Sequence, residues 1–363
     1  MIDCNDCEAL AARLIDGAQL IGRKLDLALG GLQLRVRSNS ATLIERLEGY
    51  FAHVVEPAGA ADIEVVAIER DPPQLSVDFI DWRREPGKSG RKDRYYDIPG
   101  GRLISKVRTG MVFLQSATQR IAAGPCLRYD NQVINFINAQ YMNWLQQRGW
   151  LICHAAGAVN NGRAWGIAAF SGGGKSTLML RLLEDDTFDY LTNDRLFIKR
   201  EAGGIRAAGI PKLPRINPGT IVHNPRLHPL IPASERKALL ELPQGDLWRL
   251  EQKFDVMIDR LYGPDRITPQ AALTGFLVLN WRRDSDQDTA LAEADLGDRP
   301  DLLGAIMKSP GPFLQFPDGR FLPNDASLDE AAYLAILDGV PVYEASGAVD
   351  FDALVLRLHD LMR

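Results

Sequence analysis

The sequence predicts an α/β protein in which a smaller α+β domain, residues 1–130, precedes a larger domain with a mixed sheet, residues 131–363. Three observations support this fold class. The chain has 363 residues, which exceeds one ordinary domain and indicates two. Short strand patterns separated by glycine pairs dominate the first part. A hairpin pattern, followed by a glycine-rich loop and a helix, occurs near the start of the second.

The composition is that of a folded protein, for which the cytoplasm is the expected location. Hydrophobic residues make up 46% of the chain, enough for a core, and the formal net charge of −5 argues against a protein that coats nucleic acid. No apolar run approaches the about 18 residues of a spanning helix, and the acidic N-terminus lacks the basic segment of a signal peptide. The four cysteines are scattered, and Cys4 and Cys7 lack the partners of a zinc site. We therefore expect neither nucleic acid nor a membrane as a partner.

Helices and strands alternate in the first domain, with helix, strand and helix expected over residues 9–53. Apolar and charged residues alternate at 32–37, which is typical of a half-buried strand, and Ser40 is placed to cap a helix over 42–51. Further strands are predicted over residues 63–68, 102–108, 111–116 and 118–122. The basic segment 82–94 is predicted to be an exposed loop, either plain surface or a docking site for an acidic protein.

The second domain begins with a predicted helix over residues 131–148, whose apolar residues fall on one face. Residues 151–159 and 164–170 are predicted to be antiparallel strands, because the Asn-Asn-Gly sequence at 160–162 is a strong hairpin turn. A helix over 177–183 follows after a glycine-rich loop.

That glycine-rich loop has the composition of a phosphate-binding P-loop. From Ala169 to Ser176 its sequence is Ala-Phe-Ser-Gly-Gly-Gly-Lys-Ser. Successive glycines let backbone N–H groups point inward at phosphate oxygens, and the N-terminus of the next helix favours the same anion. Lys175 can reach the β- and γ-phosphates of a nucleoside triphosphate, and the Ser176 hydroxyl can ligate Mg²⁺. The predicted nucleotide-binding residues are Ser171, Gly172, Gly173, Gly174, Lys175, Ser176 and Thr177.

The P-loop interpretation has one departure and one alternative. Ala169 stands where the general pattern has its first glycine, and alanine is tolerated there if the backbone angles are ordinary. The alternative is a glycine-rich turn with an incidental lysine.

An acidic residue at the end of the next predicted strand completes the expected metal site. Residues 188–192 form this strand, and Asn193 and Asp194 follow it. An acid at the end of a strand beside a P-loop is the usual second Mg²⁺ anchor, directly or through water, which makes Asp194 the candidate. Because Asn and Asp both favour turns, simple turn chemistry is the alternative.

Residues 150–220 resemble the kinase domain of the HPr kinase/phosphorylase family, most closely its divergent HPr-kinase-related subgroup. His154 follows the start of the first strand, a hairpin leads into the P-loop strand, and the loop has the form Ser-Gly-x-Gly-Lys-Ser. Asn193-Asp194 stands where the family has an acidic pair. The resemblance implies a P-loop fold related to phosphoenolpyruvate carboxykinase, with a mixed sheet. It also implies that ATP and Mg²⁺ are the cofactors, and that the chain forms a homo-oligomer.

The chain departs from the family at two places that bear on catalysis. In the family, the first acid of the pair takes the proton from a seryl hydroxyl, whereas Asn193 cannot act as a base. The family's Glu-x-Arg-Gly run has no clear copy, and residues 212–219 retain only Arg215 and a glycine. The reverse, phosphorylase reaction is therefore not expected. The base of the forward reaction is Asp194, His154 or no strong base at all.

Several candidate residues have a structural alternative. His154 either orients the turn after the third strand or is a hydrogen-bonded core histidine. The Pro-rich segment 211–232 lacks periodicity and is predicted to be a substrate-side loop, with Arg215 on phosphate, or else disordered. Asp255 and Asp259 more often form a solvated face than a metal or substrate site. Scaffold elements are predicted over residues 273–281 and 339–343 as strands and over 350–361 as a helix.

These observations predict an ATP-dependent, Mg²⁺-requiring phosphotransferase that acts on a hydroxyl of a protein serine or of a small molecule. A nucleotide-binding regulator or assembly ATPase without acceptor chemistry is the alternative. The lack of an Asn-Lys-x-Asp sequence argues against a GTPase, and the lack of Leu-Ser-Gly-Gly-Gln against a transporter ATPase. The predicted catalytic residues are Lys175, Asp194, His154, Asn193 and Arg215, and the predicted metal ligands are Ser176 and Asp194.

Overall fold

The computed structural model describes residues 6–84, 90–170 and 172–362. The chain divides into two compact units, Met1–Gly149 with Ser309–Ser327 and Trp150–Lys308 with Leu328–Arg363. The predicted domains, 1–130 and 131–363, differ from this division in two places. The helix after residue 130 belongs to the first unit, because its buried face packs within that unit. Ser309–Ser327 also belongs there, since Asn143 Nδ2 donates a hydrogen bond of 2.7 Å to the Phe313 carbonyl.

The first unit is built on a mixed sheet, which has eight strands within the described residues. The strands are β1 (Lys24–Leu29), β2 (Leu32–Ser38), β3 (Ile63–Glu69), β4 (Ile80–Asp81), β5 (Asp93–Ile98), β6 (Gly101–Lys106), β7 (Val112–Ser116) and β8 (Arg120–Gly124). Their order in the sheet is β1-β2-β3-β8-β7-β6-β5-β4, with parallel pairs at β2–β3 and β3–β8 and antiparallel pairs elsewhere. The helices are α1 (Cys7–Ile15), α2 (Ala41–Tyr50) and α3 (Asp130–Gln146), with a 3₁₀ turn at Ala52–Val54.

Most predicted elements of this unit are present. β2 alternates buried and half-buried residues along its whole length, and the Ser40 side chain accepts a hydrogen bond from the Leu43 amide at the start of α2. The hairpin partner β1 was not expected, because residues 9–53 predict only one strand. The expected loop 82–94 ends earlier than predicted, since β5 already begins at Asp93; residues 85–89 lie outside the described residues.

The strands of the second unit are β9 (Leu151–Cys153), β10 (Ala155–Asn160), β11 (Arg163–Ala169), β12 (Phe188–Thr192), β13 (Leu196–Glu201), β14 (Gly204–Ala208), β15 (Arg215–Ile216), β16 (Phe254–Asp255), β17 (Gln270–Leu279), β18 (Ala290–Glu293) and β19 (Val342–Ser346). All but β15 and β16, which pair with each other, form a larger mixed sheet with the order β12-β10-β11-β17-β14-β13-β9; β19 also pairs with β17, and β18 with β19. The second unit also contains helices. Its helices are α4 (Lys175–Leu182), α5 (Pro218–Val222), α6 (Ala233–Leu240), α7 (Gln244–Arg249), α8 (Ile258–Leu261), α9 (Pro300–Ile306), α10 (Glu330–Leu337) and α11 (Phe351–Met362), with a 3₁₀ helix at Pro225–Leu230.

The strand that leads into the glycine-rich loop has one antiparallel and one parallel neighbour in the sheet. β11 pairs antiparallel with β10 and parallel with β17, which confirms the mixed sheet. Asn161 and Gly162, with φ of 51° and 75°, form the tight turn between β10 and β11. Such left-handed residues match the twist of a two-residue hairpin, which is why the Asn-Gly sequence predicts it.

Two predictions in this unit need correction. The single strand expected over 151–159 is broken at His154, because β9 pairs with β13 whereas β10 pairs with β11 and β12. The segment 211–232 is neither a long loop nor disordered. It contains β15, α5 and a 3₁₀ helix, and β15 pairs with β16.

Within the described residues, no helix is both long enough and apolar enough to cross a membrane.

Candidate functional site

The loop between β11 and α4 turns tightly at the end of the sheet. The Gly173 amide donates a hydrogen bond of 2.9 Å to the Phe170 carbonyl. Gly172 and Gly174 have φ of 76° and 90°, which side chains of L-residues rarely adopt, so both positions favour glycine. Ala169 is the last residue of β11 and is not among the described residues with positive φ, so alanine fits there as expected.

Two aromatic side chains hold this loop in place. A Cβ on Gly174 would lie 2.7 Å from Phe351 Cζ, so the ring packs directly on the glycine. Trp281 Nε1 donates a hydrogen bond of 2.9 Å to the Gly173 carbonyl, and the rings of Trp281 and Phe351 meet edge to face with centroids 4.8 Å apart. The loop is therefore curled and packed from one side.

Backbone amides at the N-terminus of α4 have no acceptor within the helix. The first hydrogen bond inside the helix runs from the Leu178 amide to the Gly174 carbonyl over 2.9 Å, so the amides of Lys175, Ser176 and Thr177 have no acceptor within α4. The Thr177 hydroxyl lies 2.9 Å from that of Thr220 in α5, which ties the helix to the segment predicted to meet the acceptor. Ser171 was predicted as a phosphate ligand and lies outside the described residues.

The Lys175 ammonium group lies beside the break between β9 and β10. Its Nζ is 3.1 Å from Nε2 of His154, and the same ring nitrogen is 3.2 Å from Oδ1 of Asp194. Asp194 follows β12, the neighbour of β10, so the order of strands brings these three predicted residues together.

His154 is neutral near pH 7. Its hydrogen bond to Asp194 raises the pKa of the imidazole. Burial and the positive charges of Lys308 and Lys175 together lower that pKa by more, so the net pKa is below the usual value. A neutral ring nitrogen either accepts from Lys175 or donates to Asp194, and it cannot do both at once. His154 thus contacts both a predicted phosphate-binding residue and a predicted metal ligand.

Asp194 is ionised. Partial burial raises the pKa of its carboxyl, but the hydrogen bond to His154 and the charges of Lys308 and Arg195 lower that pKa well below its ordinary value. Oδ2 lies 3.7 Å from Lys308 Nζ and 3.9 Å from Arg195 Nε, beyond hydrogen-bond length, and the side chain is 42% exposed. One carboxylate oxygen thus faces His154 and the other is loosely held among cations.

The structure gives Asn193 an unused side-chain acceptor and places Arg215 in an ion pair. The Oδ1 atom of Asn193 is buried and has no hydrogen-bond partner among the described residues, which leaves an acceptor for a ligand or for water. Arg215 was predicted to contact phosphate, but its Nε lies 3.0 Å from Oδ1 of Asp255 across the β15–β16 pair. Asp255 therefore forms an ion pair and not simply a solvated face.

The sequence analysis did not identify Lys308, Lys212 or Arg195 as site residues. Lys308 follows α9, where the His154 amide donates a hydrogen bond of 2.7 Å to the Ile306 carbonyl. Burial and, to a smaller extent, the charge of Arg195 lower the pKa of Lys212 to about 8, although Asp194 partly compensates. Lys308 is remote from the loop along the chain, so no local pattern marks it. Neither Lys212 nor Arg195 belongs to a motif, although Lys212 lies within the predicted substrate-side segment 211–232 and Arg195 follows Asp194 directly.

These residues fit a nucleoside triphosphate with Mg²⁺. Glycines at positive φ, together with amides at a helix N-terminus that have no acceptor within the helix, suit phosphate oxygens. A serine hydroxyl (Ser176) and an ionised carboxylate (Asp194) suit Mg²⁺, which proteins commonly bind through one or two carboxylates together with substrate phosphates. No group of three or more His, Cys, Asp and Glu within the described ranges could hold a metal by itself.

The chain matches no protein-family model. It also matches no curated protein. Among solved structures it is similar to the HPr(Ser) kinase/phosphatase from Coxiella burnetii, at 12% sequence identity and a TM-score of 0.28. That match covers 58% of this chain and 96% of the other. The relation is a distant one at most, and similarity this low supports no conclusion about function, which therefore depends on the geometry of the site.

Proposed function

We propose that this protein is a phosphotransferase that moves the γ-phosphate of ATP to a hydroxyl and requires Mg²⁺. One observation supports the proposal above all. The loop lysine Lys175, at the N-terminus of α4, contacts His154, which in turn contacts the ionised Asp194 at the end of a nearby strand. Phosphoryl transfer needs few covalent steps from the protein, because positioning and charge neutralisation supply most of the rate enhancement.

The residues divide into those that bind phosphate and those that position the binders. The amides of residues 172–177 and the ammonium group of Lys175 hold the β- and γ-phosphates. His154 orients Lys175 through its Nε2 atom, and Ser176 and Asp194 hold the metal. Mg²⁺, when bound, neutralises charge between the phosphates.

No strong base is required in this mechanism. Asp194 is a weak base, because its pKa is well below the usual value, and Asn193 has no basic group. The neutral imidazole of His154, which contacts Asp194, is a better proton acceptor than either Asp194 or Asn193. The acceptor hydroxyl therefore loses its proton either to His154 or, late in the transfer, to solvent.

Asn193 also favours a second candidate function, a nucleotide-binding regulator or assembly ATPase that transfers phosphate only to water. Incubation with γ-labelled ATP, Mg²⁺ and a cell extract distinguishes the two. Label on a discrete acceptor, lost in Lys175→Met and retained in the exposed-surface control Lys237→Ala, supports the phosphotransferase. Free labelled phosphate without a labelled acceptor supports the regulator. An outcome in which Lys175→Met labels the same acceptor equally well contradicts both.

A further inference from the structure

Cations lie near the second carboxylate oxygen of Asp194, the one that does not contact His154. Lys308 and Arg195 approach Oδ2 of Asp194 at 3.7 and 3.9 Å, whereas His154 contacts Oδ1. Lys212 lies close enough to Arg195 and Lys308 that their charges lower the pKa of its ammonium group. Lys308 and Arg195 therefore approach the same carboxylate oxygen, and Lys212 is close enough to feel the charges of both cations. The Lys308 side chain is only 12% exposed, so the positive charge is held away from bulk water.

Arg266, in the same unit, shows how a buried structural cation is normally paired. Arg266 is 9% exposed, and its guanidinium lies 2.9 Å from Asp186 and 3.7 Å from Asp189. It also donates to backbone carbonyls, among them those of Leu183 and Tyr262. Such coverage is expected, because a buried charge without a counter-charge costs free energy.

Lys212 has no such coverage. Its ammonium group makes no hydrogen bond and no ion pair with any residue in the described ranges, although the side chain is half-buried. Burial and neighbouring cations both disfavour the charge there. An anion from outside the chain would supply the direct counter-charge that the described residues do not give to Lys212.

The backbone that presents Lys212 is firmly fixed. The Tyr190 hydroxyl donates a hydrogen bond of 2.6 Å to the Lys212 carbonyl, and the Lys212 amide donates one of 2.7 Å to the Ile210 carbonyl. Gly209 packs so closely on β12 that a Cβ there would lie 1.9 Å from the Leu191 carbonyl oxygen. Only glycine allows this approach, so Lys212 is anchored to the strand that leads to Asp194.

We propose that Arg195, Lys212 and Lys308 form a second oxyanion site, which holds a phosphate or carboxylate group of the phosphoryl acceptor. This inference depends on the proposed function, because it assigns the ATP phosphates to the loop and Lys175. Asp194 then lies between the two anions, with His154 and Lys175 toward the nucleotide and the second site toward the acceptor. The acceptor class is a hydroxyl compound or side chain that carries a nearby anionic group.

Anion binding to the nucleotide-loaded protein tests this site. The protein is saturated with Mg²⁺ and a non-hydrolysable ATP analogue, which occupies the loop, and is then titrated with inorganic phosphate or with malonate. We expect added thermal stabilisation by at least one of them. Phosphate giving the larger shift indicates a phosphate-bearing acceptor, and malonate giving the larger shift indicates a carboxylate.

Variants at Lys212 identify the site responsible. Lys212→Gln is expected to weaken binding of the added anion about tenfold or more, because a charge-assisted hydrogen bond is lost, whereas Lys212→Arg retains the charge and most of the affinity. Lys237→Gln, on the exposed face of α6, is the control. Equal anion affinity in Lys212→Gln and the wild type, or no anion-dependent shift in the wild type, overturns the proposal. Failure of the nucleotide analogue to bind contradicts the proposed function instead, and it is measured separately in the same titration.

Discussion

The Lys175 ammonium nitrogen lies 3.1 Å from Nε2 of His154, and that one ring nitrogen is also 3.2 Å from Oδ1 of Asp194. The cation that would bind phosphate and the carboxylate that would hold Mg²⁺ therefore share a single partner. A neutral ring can satisfy either of them by its choice of tautomer. The protonation of His154 consequently determines how Lys175 is held.

The first prediction concerns pH. Because folding lowers the pKa of His154, the unfolded chain binds the imidazole proton more readily than the folded chain does. The contribution of His154 to the free energy of unfolding therefore rises with pH up to about 6.5. Protonated Nε2 cannot accept from Lys175, so stabilisation by Mg²⁺ and a non-hydrolysable ATP analogue should be full above about pH 6.5 and decline at lower pH. Thermal shifts from pH 5.5 to 8 measure this, with His154→Gln as the variant that should show a flatter profile. Parallel profiles for the two proteins would contradict the role of His154.

The second prediction concerns the glycine at the start of α4. Gly174→Ala places a side chain at φ 90° and against the Phe351 ring, which should cost about 1–3 kcal/mol and weaken nucleotide binding. Gly203→Ala is the matched control, because its Cβ would meet nothing within 4 Å and its φ is ordinary. The double variant Gly174→Ala, Phe351→Ala removes the clash and should recover part of the affinity. A Gly174→Ala protein that melts and binds like the control would show that the loop does not need this geometry.

The third prediction concerns Lys212. Its pKa falls from 10.5 to about 8 on folding, so the unfolded chain binds more protons between these values, and the stability of the wild type rises with pH across that range. Lys212→Met removes the unfavourable charge and should raise the free energy of unfolding at pH 7 by about 1–3 kcal/mol, with a smaller gain at pH 9.5. Melting curves at the two pH values measure the difference. A variant less stable than the wild type at pH 7 would contradict the account of an uncompensated cation.

The affinity of the second site for phosphate should also depend on the ionisation of Lys212, but it should fall as the pH rises, whereas the stability of the protein rises. Lys212 is charged below about pH 8, so binding of inorganic phosphate to the nucleotide-loaded protein should be strong at pH 7.5 and weaken above pH 8. The charged groups that face Lys212 are Arg195, Asp194, Arg215 and Lys308. Calorimetric titration at pH 7.5 and 9 tests this, and Lys212→Arg should show the smaller change.

Local sequence predicts the parts of the site that depend on local conformation. Asn161-Gly162 specifies the hairpin, and the glycines at 172–174 specify the turn, because each requires backbone angles that few residues adopt. Asp194 follows a strand whose length and termination are also local features. The hairpin, the loop and the acid are therefore predictable from short segments, whereas the parallel pairing of β11 with β17 is not.

The rest of the site depends on contacts between distant segments. Trp281, just after β17, and Phe351, at the start of α11, pack on the loop, and Lys308 follows α9. All three are far from the loop along the chain, so the sequence around the loop does not predict them. Local sequence also does not predict the division into units, because Ser309–Ser327 joins the first unit through hydrogen bonds such as the one from Asn143. Tertiary packing, and not local propensity, determines these features.

The most direct measurement is equilibrium binding of Mg²⁺ and a non-hydrolysable ATP analogue to the wild type, Lys175→Met and Lys237→Ala. The account predicts that the wild type and Lys237→Ala bind with equal affinity. It predicts that Lys175→Met binds at least about tenfold more weakly, because it lacks the ammonium group at the β- and γ-phosphates. A wild-type protein that does not bind the analogue, or a Lys175→Met protein that binds it as tightly as the wild type, would contradict the central claim that this loop holds a nucleoside triphosphate.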